Sequence, residues 1–260
     1  MAIIAIGFYG LYNPSAYLFE TENWQVQAKG QDIINMLVVV PLLLITAIGV
    51  FLKKSKFIWL WAGIIFYILY TFVIYCFNIH FNSYFLLYCL VLSVAFYAFI
   101  YLLHHLFTKS DFYIIKSGIV HNTTGIYLLL IGVLFYFLWL SAIVPSILDN
   151  EVPKELTETG LFTNPVHVID LSILLPAFII NGVYLLRKNR NAVLLGIAFF
   201  SFTIVMNITI GFLAYYMVAK NVADDNSVLY IMAALTIISS TLLAFMLKSI
   251  NIENKHVQRN

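Results

Sequence analysis

Residues 57–77 read FIWLWAGIIFYILYTFVIYCF, twenty-one positions without one Asp, Glu, Lys, Arg or His. As an α-helix rising 1.5 Å per residue this run is about 31 Å long, the thickness of a bilayer's hydrocarbon core. Such a segment has no stable place on a water-facing surface. Working outward from it, six further runs of the same kind occupy residues 32–52, 84–107, 125–148, 165–186, 192–218 and 227–249. Lys53-Lys54-Ser55-Lys56, Asn78 to Ser83, Pro153 to Gly160, Arg187-Lys188-Asn189-Arg190 and Asp224-Asp225-Asn226 supply the polar punctuation of loops.

The whole composition agrees. Of 260 residues, 62% are hydrophobic and 10% charged, against roughly 25% charged in soluble domains. The sequence therefore predicts an all-α polytopic bundle, with residues 1–250 as one transmembrane domain and 251–260 as a short tail. An eighth span is open at residues 2–12, which are apolar but long enough for only about half the core. No basic patch suits nucleic acid. Cys76 and Cys89 lie in apolar sequence and do not suggest a disulfide framework. No internal repeat is visible in the residues themselves.

Lys and Arg decide sidedness because they accumulate in cytoplasmic loops. They gather at 53–56, at 187–190, at Lys109 and Lys116, and in the tail at Lys248, Lys255 and Arg259. The alternate connectors, 13–30, 149–163 and 219–226, are richer in Asp and Glu. The expectation is a multi-pass protein of a bacterial inner membrane, with an acidic outer face and a cytoplasmic C-terminus.

Ionisable residues inside spans mark sites because they are costly to hold there. Asp170 lies inside its span, with His167 three residues before it and Asn181 eleven after, all on one helical face. Pro165 suits the first turn, with Asn164 or Thr163 as N-cap. Asp32 and Asn35 cluster at the outer end of another span, and His80 sits in the Asn78 to Ser83 connector. These six, His167, Asp170, Asp32, His80, Asn35 and Asn181, form the expected ligand-binding set. His167, Asp170 and His80 are suitable donors to a divalent metal, while heme is less favoured because His104, His105 and His121 face no second histidine across the inner side. The competing reading of the same residues is structural: Asp32 capping its helix, Asp170 accepting a hydrogen bond, His80 in headgroup water.

Asn207, Thr203, Gly196 and Gly211 suggest close helix packing with an interhelical hydrogen bond. Pro41, Pro145 and Pro176 should disturb three helices. Trp59, Trp61 and the many tyrosines suggest interfacial belts. No mid-span Lys, Arg ladder or transmembrane chain of acids is present, which disfavours a retinal protein, a voltage sensor or a proton pump.

At QAKGQD (27–32), FNIHFN (77–82) and NPVHVID (164–170) the chain resembles a group of bacterial polytopic membrane proteins to which no activity is attached; the resemblance implies a polytopic fold alone. Zinc-dependent membrane hydrolases of the ceramidase and adiponectin-receptor type share only the chemistry of Asp, Ser and His, since their paired histidines on one helix are missing here. Three functions compete on this evidence: an outward pocket that binds or transports a small cation or polar ligand, a membrane-embedded enzyme at the outer leaflet, and an accessory subunit whose outer loops dock a protein partner or a second copy.

Overall fold

The structure, a computed structural model, describes residues 1–109, 113–115 and 118–252. Asp111, Lys116, Lys255 and Arg259 lie outside the described residues. Among the described residues seven helices are long and apolar enough to cross a membrane, Glu22–Phe51, Phe57–Asn78, Phe85–His105, Gly118–Leu148, Pro165–Leu186, Arg190–Ala219 and Ser227–Ser249. The chain is an all-α multi-pass bundle. Ala2–Tyr12 (α1) is helical but too short to be an eighth span of full length.

In chain order the helices are α1, α2 (Glu22–Ile34), α3 (Val40–Phe51), α4 (Phe57–Asn78), α5 (Phe85–Lys109), α6 (Gly118–Leu148), α7 (Lys154–Thr159), α8 (Pro165–Ile169), α9 (Leu175–Leu186), α10 (Arg190–Ala219) and α11 (Ser227–Ser249). A short strand, Tyr113–Ile115 (β1), pairs antiparallel with Ile250–Ile252 (β2), just after α11.

The first span begins ten residues earlier than hydropathy suggests, because Thr21 caps it by accepting from Trp24 N, and the Trp24 indole donates to Asn78 O at 3.0 Å. Asp32 is therefore not at the helix mouth. It lies three turns inside.

Two spans are broken in the same way. Between α2 and α3 the turn Asn35–Val39 is π-helical, as is Asp170–Leu174 between α8 and α9. Each π segment is followed by a proline at the second position of the next helix, Pro41 or Pro176. Proline donates no N–H and its ring crowds the carbonyl four residues back, Leu37 or Ser172, so widening that turn relieves the conflict. Pro145 stays within the continuous α6.

α4 and α10 are the most buried spans and form the centre, whereas α5, α6 and α11 turn apolar side chains such as Leu86, Leu130 and Ile237 outward, as lipid contact requires. α4 and α10 cross at Gly63, where a Cβ would lie 2.3 Å from Ala198 O. Ser201 Oγ donates to Leu60 O at 3.0 Å across the same contact. Trp59 is fully buried in this core and belongs to no interfacial belt.

The bundle has one acidic and one basic end. At the acidic end Thr21 bonds Thr159 O (3.0 Å) and Asn78 bonds Thr163 O (3.3 Å), tying three connectors together. At the basic end Lys56 Nζ donates to Leu247 O, and Lys53 and Lys188 close their turns with positive φ.

Candidate functional site

Asp32 is fully buried. Its carboxylate accepts from Tyr17 Oη at 2.6 Å and from Tyr75 Oη at 2.7 Å, so each oxygen holds one phenol. Tyr17 comes from the connector after α1, and burial, with the Asp32 charge second, pushes its hydroxyl well above the ordinary tyrosine range. It therefore stays a donor throughout the physiological range. One residue earlier on α2, Gln31 donates to Asn35 Oδ1 (3.0 Å) and to Tyr67 Oη (2.8 Å), and Tyr67 shares a hydrogen with Thr209 of α10 at 2.7 Å. Asn35 Nδ2 is buried without a partner.

Asp170 opens the second π segment and is 6% exposed. It accepts from Tyr70 Oη of α4 at 3.0 Å and from the Trp139 indole of α6 at 2.9 Å. His167, one turn before it, lies against Trp139 with ring centroids 4.4 Å apart, and its Nε2 is 3.8 Å from Glu155 of α7, a distance at which no hydrogen bond forms. Asn164 does cap this helix, accepting from Val166 N and His167 N, and it also bonds Glu155.

The expected set thus splits in two. Asp32 and Asn35 stand together, as do His167 and Asp170, but His80 belongs to neither group. Its backbone N (2.7 Å) and Nδ1 (3.0 Å) hold the buried Glu20 carboxylate instead. Among the described residues no three His, Cys, Asp or Glu side chains gather as metal ligands, so His167, Asp170 and His80 do not assemble the metal centre expected of them. His80 is engaged with Glu20, and the two Asp170 oxygens accept from Tyr70 and Trp139. Asn181 is buried near the Cβ position of Gly196, its Nδ2 unpartnered, one helix length below Asp170.

Elsewhere, His104 is exposed, His121 is buried at the start of α6, and the His105 ring stands 6.4 Å from Trp59. Asn207 Nδ2 has no interhelical partner, although Gly211 and Gly196 do pack closely on Met232 and Met246. Ser239 reaches Tyr127 at 2.7 Å, while Thr236 and Thr241 bond their own helix. Cys76 and Cys89 are free.

Sequence reasoning missed the phenols. Tyr17, Tyr67, Tyr70, Tyr75 and Tyr88 are buried rather than interfacial. The signal for α4 was its spacing: positions 67, 70 and 75 fall on one side of a helix at 100° per residue, and that side faces both acids. No protein-family model matches the chain, and neither a curated protein nor a solved structure is similar to it.

Because Trp139 can only donate, its replacement by phenylalanine removes one of two hydrogen bonds from a buried carboxylate. Trp139→Phe should lower stability by about 1–3 kcal/mol, read as a fall in the midpoint of thermal unfolding in detergent. An unchanged midpoint would show that the indole contact carries no weight.

Proposed function

We propose that this chain binds a small cation, namely a proton, at Asp32 and Asp170, on the extracytoplasmic side of a cell membrane. The observation that supports it is the pair of buried carboxylates, each held by neutral hydrogen-bond donors and neither in an ion pair with a Lys, Arg or His among the described residues, whose pairs are made by Glu20, Glu155 and Glu158. A lone buried negative charge costs far more than its hydrogen bonds return, so such a group is accompanied by a cation or neutralised by a proton. Metal ions such as Ca²⁺ need six or more oxygen lone pairs. Around Asp170 the neighbours present an O–H and an N–H. A proton fits that environment and a metal ion does not.

Depth agrees with a site inside the bilayer. From Asp32 to Phe51 the helix runs about 28 Å, and from Asp170 to Leu186 about 24 Å, which puts both acids toward the acidic end of the bundle. The basic loops at the opposite end support a cytoplasmic position for that end, and with it the C-terminus, by the positive-inside rule. π segments and proline-broken helices are where membrane proteins place such sites, because the displaced carbonyls open room for bound ions. Carriage of the cation between the two faces is the use such sites serve in transporters.

The test is infrared difference spectroscopy on a pH jump in nanodiscs. A carboxylic-acid carbonyl band should appear as pH falls, and Asp170→Asn should remove its share while Asn keeps an oxygen for Tyr70 or Trp139. A spectrum with no such band, or one untouched by Asp170→Asn and Asp32→Asn alike, rejects proton binding.

A further inference from the structure

We infer that the chain is two fused copies of one four-helix unit, and that Asp32 and Asp170 are the two quasi-equivalent proton sites of that pair; the second half of this inference rests on the proton-binding function proposed above. The evidence is backbone geometry, which the two broken spans share residue for residue from the π segment onward, while the helix before it is thirteen residues in one and five in the other. Each has a five-residue π segment, a proline at the second position of the following helix, and a following helix of twelve residues. Each helix ends on a residue of near-identical conformation, Leu52 (φ −76, ψ 13) and Arg187 (φ −78, ψ 7). A lysine with positive φ comes next, Lys53 (φ 55) and Lys188 (φ 57). From the start of the π segment to that lysine the spacing is the same in both halves, Asn35 to Lys53 and Asp170 to Lys188. Positive φ also follows α6 and α10, at Asn150 and Asn221, as is common after helices, so the matched feature is the equal spacing from π segment through proline to lysine.

Helix packing repeats as well. α4 packs on α5 as α10 packs on α11; α1 touches α5 as α6 touches α11; α2 lies on α10 as α8 lies on α4. Both broken spans run from the acidic to the basic end, so the halves are related by rotation about an axis along the membrane normal, of the kind seen in parallel repeats. That axis passes between α4 and α10, at the close contact of Gly63 with Ala198.

Superposing the π segments puts Asn35 on Asp170 and Asp32 on His167. Each half therefore keeps one carboxylate within a single helical turn, but at swapped positions. The orphaned Nδ2 of Asn35 stands where the other half has its carboxylate. The correspondence extends to the acidic end in the acids alone: Glu20 and Glu155 precede their π segments by equal spacings, while the histidines they face come from different elements, His80 after α4 at 3.0 Å and His167 in α8 at 3.8 Å.

Swapping the carboxylate tests the equivalence. In nanodiscs, the unaltered protein should take up two protons per chain more than the double variant Asp32→Asn with Asp170→Asn on the same downward pH jump, a comparison that cancels the other titrating side chains, and Asp32→Asn or Asp170→Asn alone should halve that extra uptake. The paired change Asp32→Asn with Asn35→Asp, and the reciprocal Asp170→Asn with His167→Asp, should each restore the second proton. Monodisperse elution confirms folding for each variant. Folded swaps that leave uptake halved overturn the equivalence while leaving proton binding intact, and misfolding of both swaps also counts against it. Equal uptake by the unaltered protein and the double variant removes the proton function itself.

Discussion

Gly63→Val should prevent the bundle from assembling. A Cβ at position 63 would stand 2.3 Å from Ala198 O, 2.6 Å from Ser201 Cβ and 3.0 Å from Phe202 N. The obstacle is mostly backbone, which no rotamer change can move aside, so α4 and α10 must separate along the centre of the molecule. Overpacking into a side chain costs about 1–3 kcal/mol, and a clash with helix backbone costs more. Separation also breaks the Ser201 to Leu60 hydrogen bond and draws Tyr67 away from Thr209. The expected result is loss of the monodisperse peak on size exclusion. Gly118→Ala is the control, since among the described residues the only atom within 4 Å of a Cβ there is Lys188 Cε at 3.9 Å. Equal behaviour of the two variants would mean that the α4 to α10 contact does not govern assembly.

Gly10→Ala should disable the Asp32 site alone. The new methyl group would lie 1.8 Å from Asp32 Oδ2 and 2.7 Å from Tyr17 Oη, inside both atoms. Asp32 has little freedom to retreat, because its other oxygen is held by Tyr75 at 2.7 Å. The Tyr17 bond therefore breaks, and a buried acceptor is left unsatisfied at about 1–3 kcal/mol. Infrared difference spectra should lose or shift the Asp32 band and keep that of Asp170. Gly7→Ala on the same helix meets only the thioether end of Met36 closely (2.7 and 2.8 Å), and that chain can turn away. If Gly7→Ala and Gly10→Ala act alike, the effect belongs to the helix and not to the carboxylate.

Hydropathy made the spans legible because bilayer thickness imposes a length on every crossing helix, and residues 57–77 meet it without interruption. It could not show that the first span starts at Glu22, since ENWQVQAKGQ is polar and is held helical by the Thr21 cap and the Trp24 anchor. The acids themselves were legible, because charge is rare in these spans. Their partners were not: a tyrosine reads the same whether it faces headgroups or a carboxylate, and only the fold separates Tyr70 from an interfacial neighbour. His80 was drawn toward the wrong partner because nothing in sequence announces that Glu20, sixty residues away, is buried beside it. The duplication was hidden for a related reason. Backbone breaks were kept at matched positions while the side chains on them diverged, Asp32 against His167 and Asn35 against Asp170.

The Asp32 cluster is built wholly from residues 10 to 75, whereas Asp170 depends on Tyr70 from the opposite half. A ribosome delivers these parts in order. The first carboxylate can find both of its phenols while the second half is still unsynthesised, and the second must dock against a surface already in place. Biogenesis of the protein is thus expected to be templated, with the early helices acting as a scaffold for the later ones.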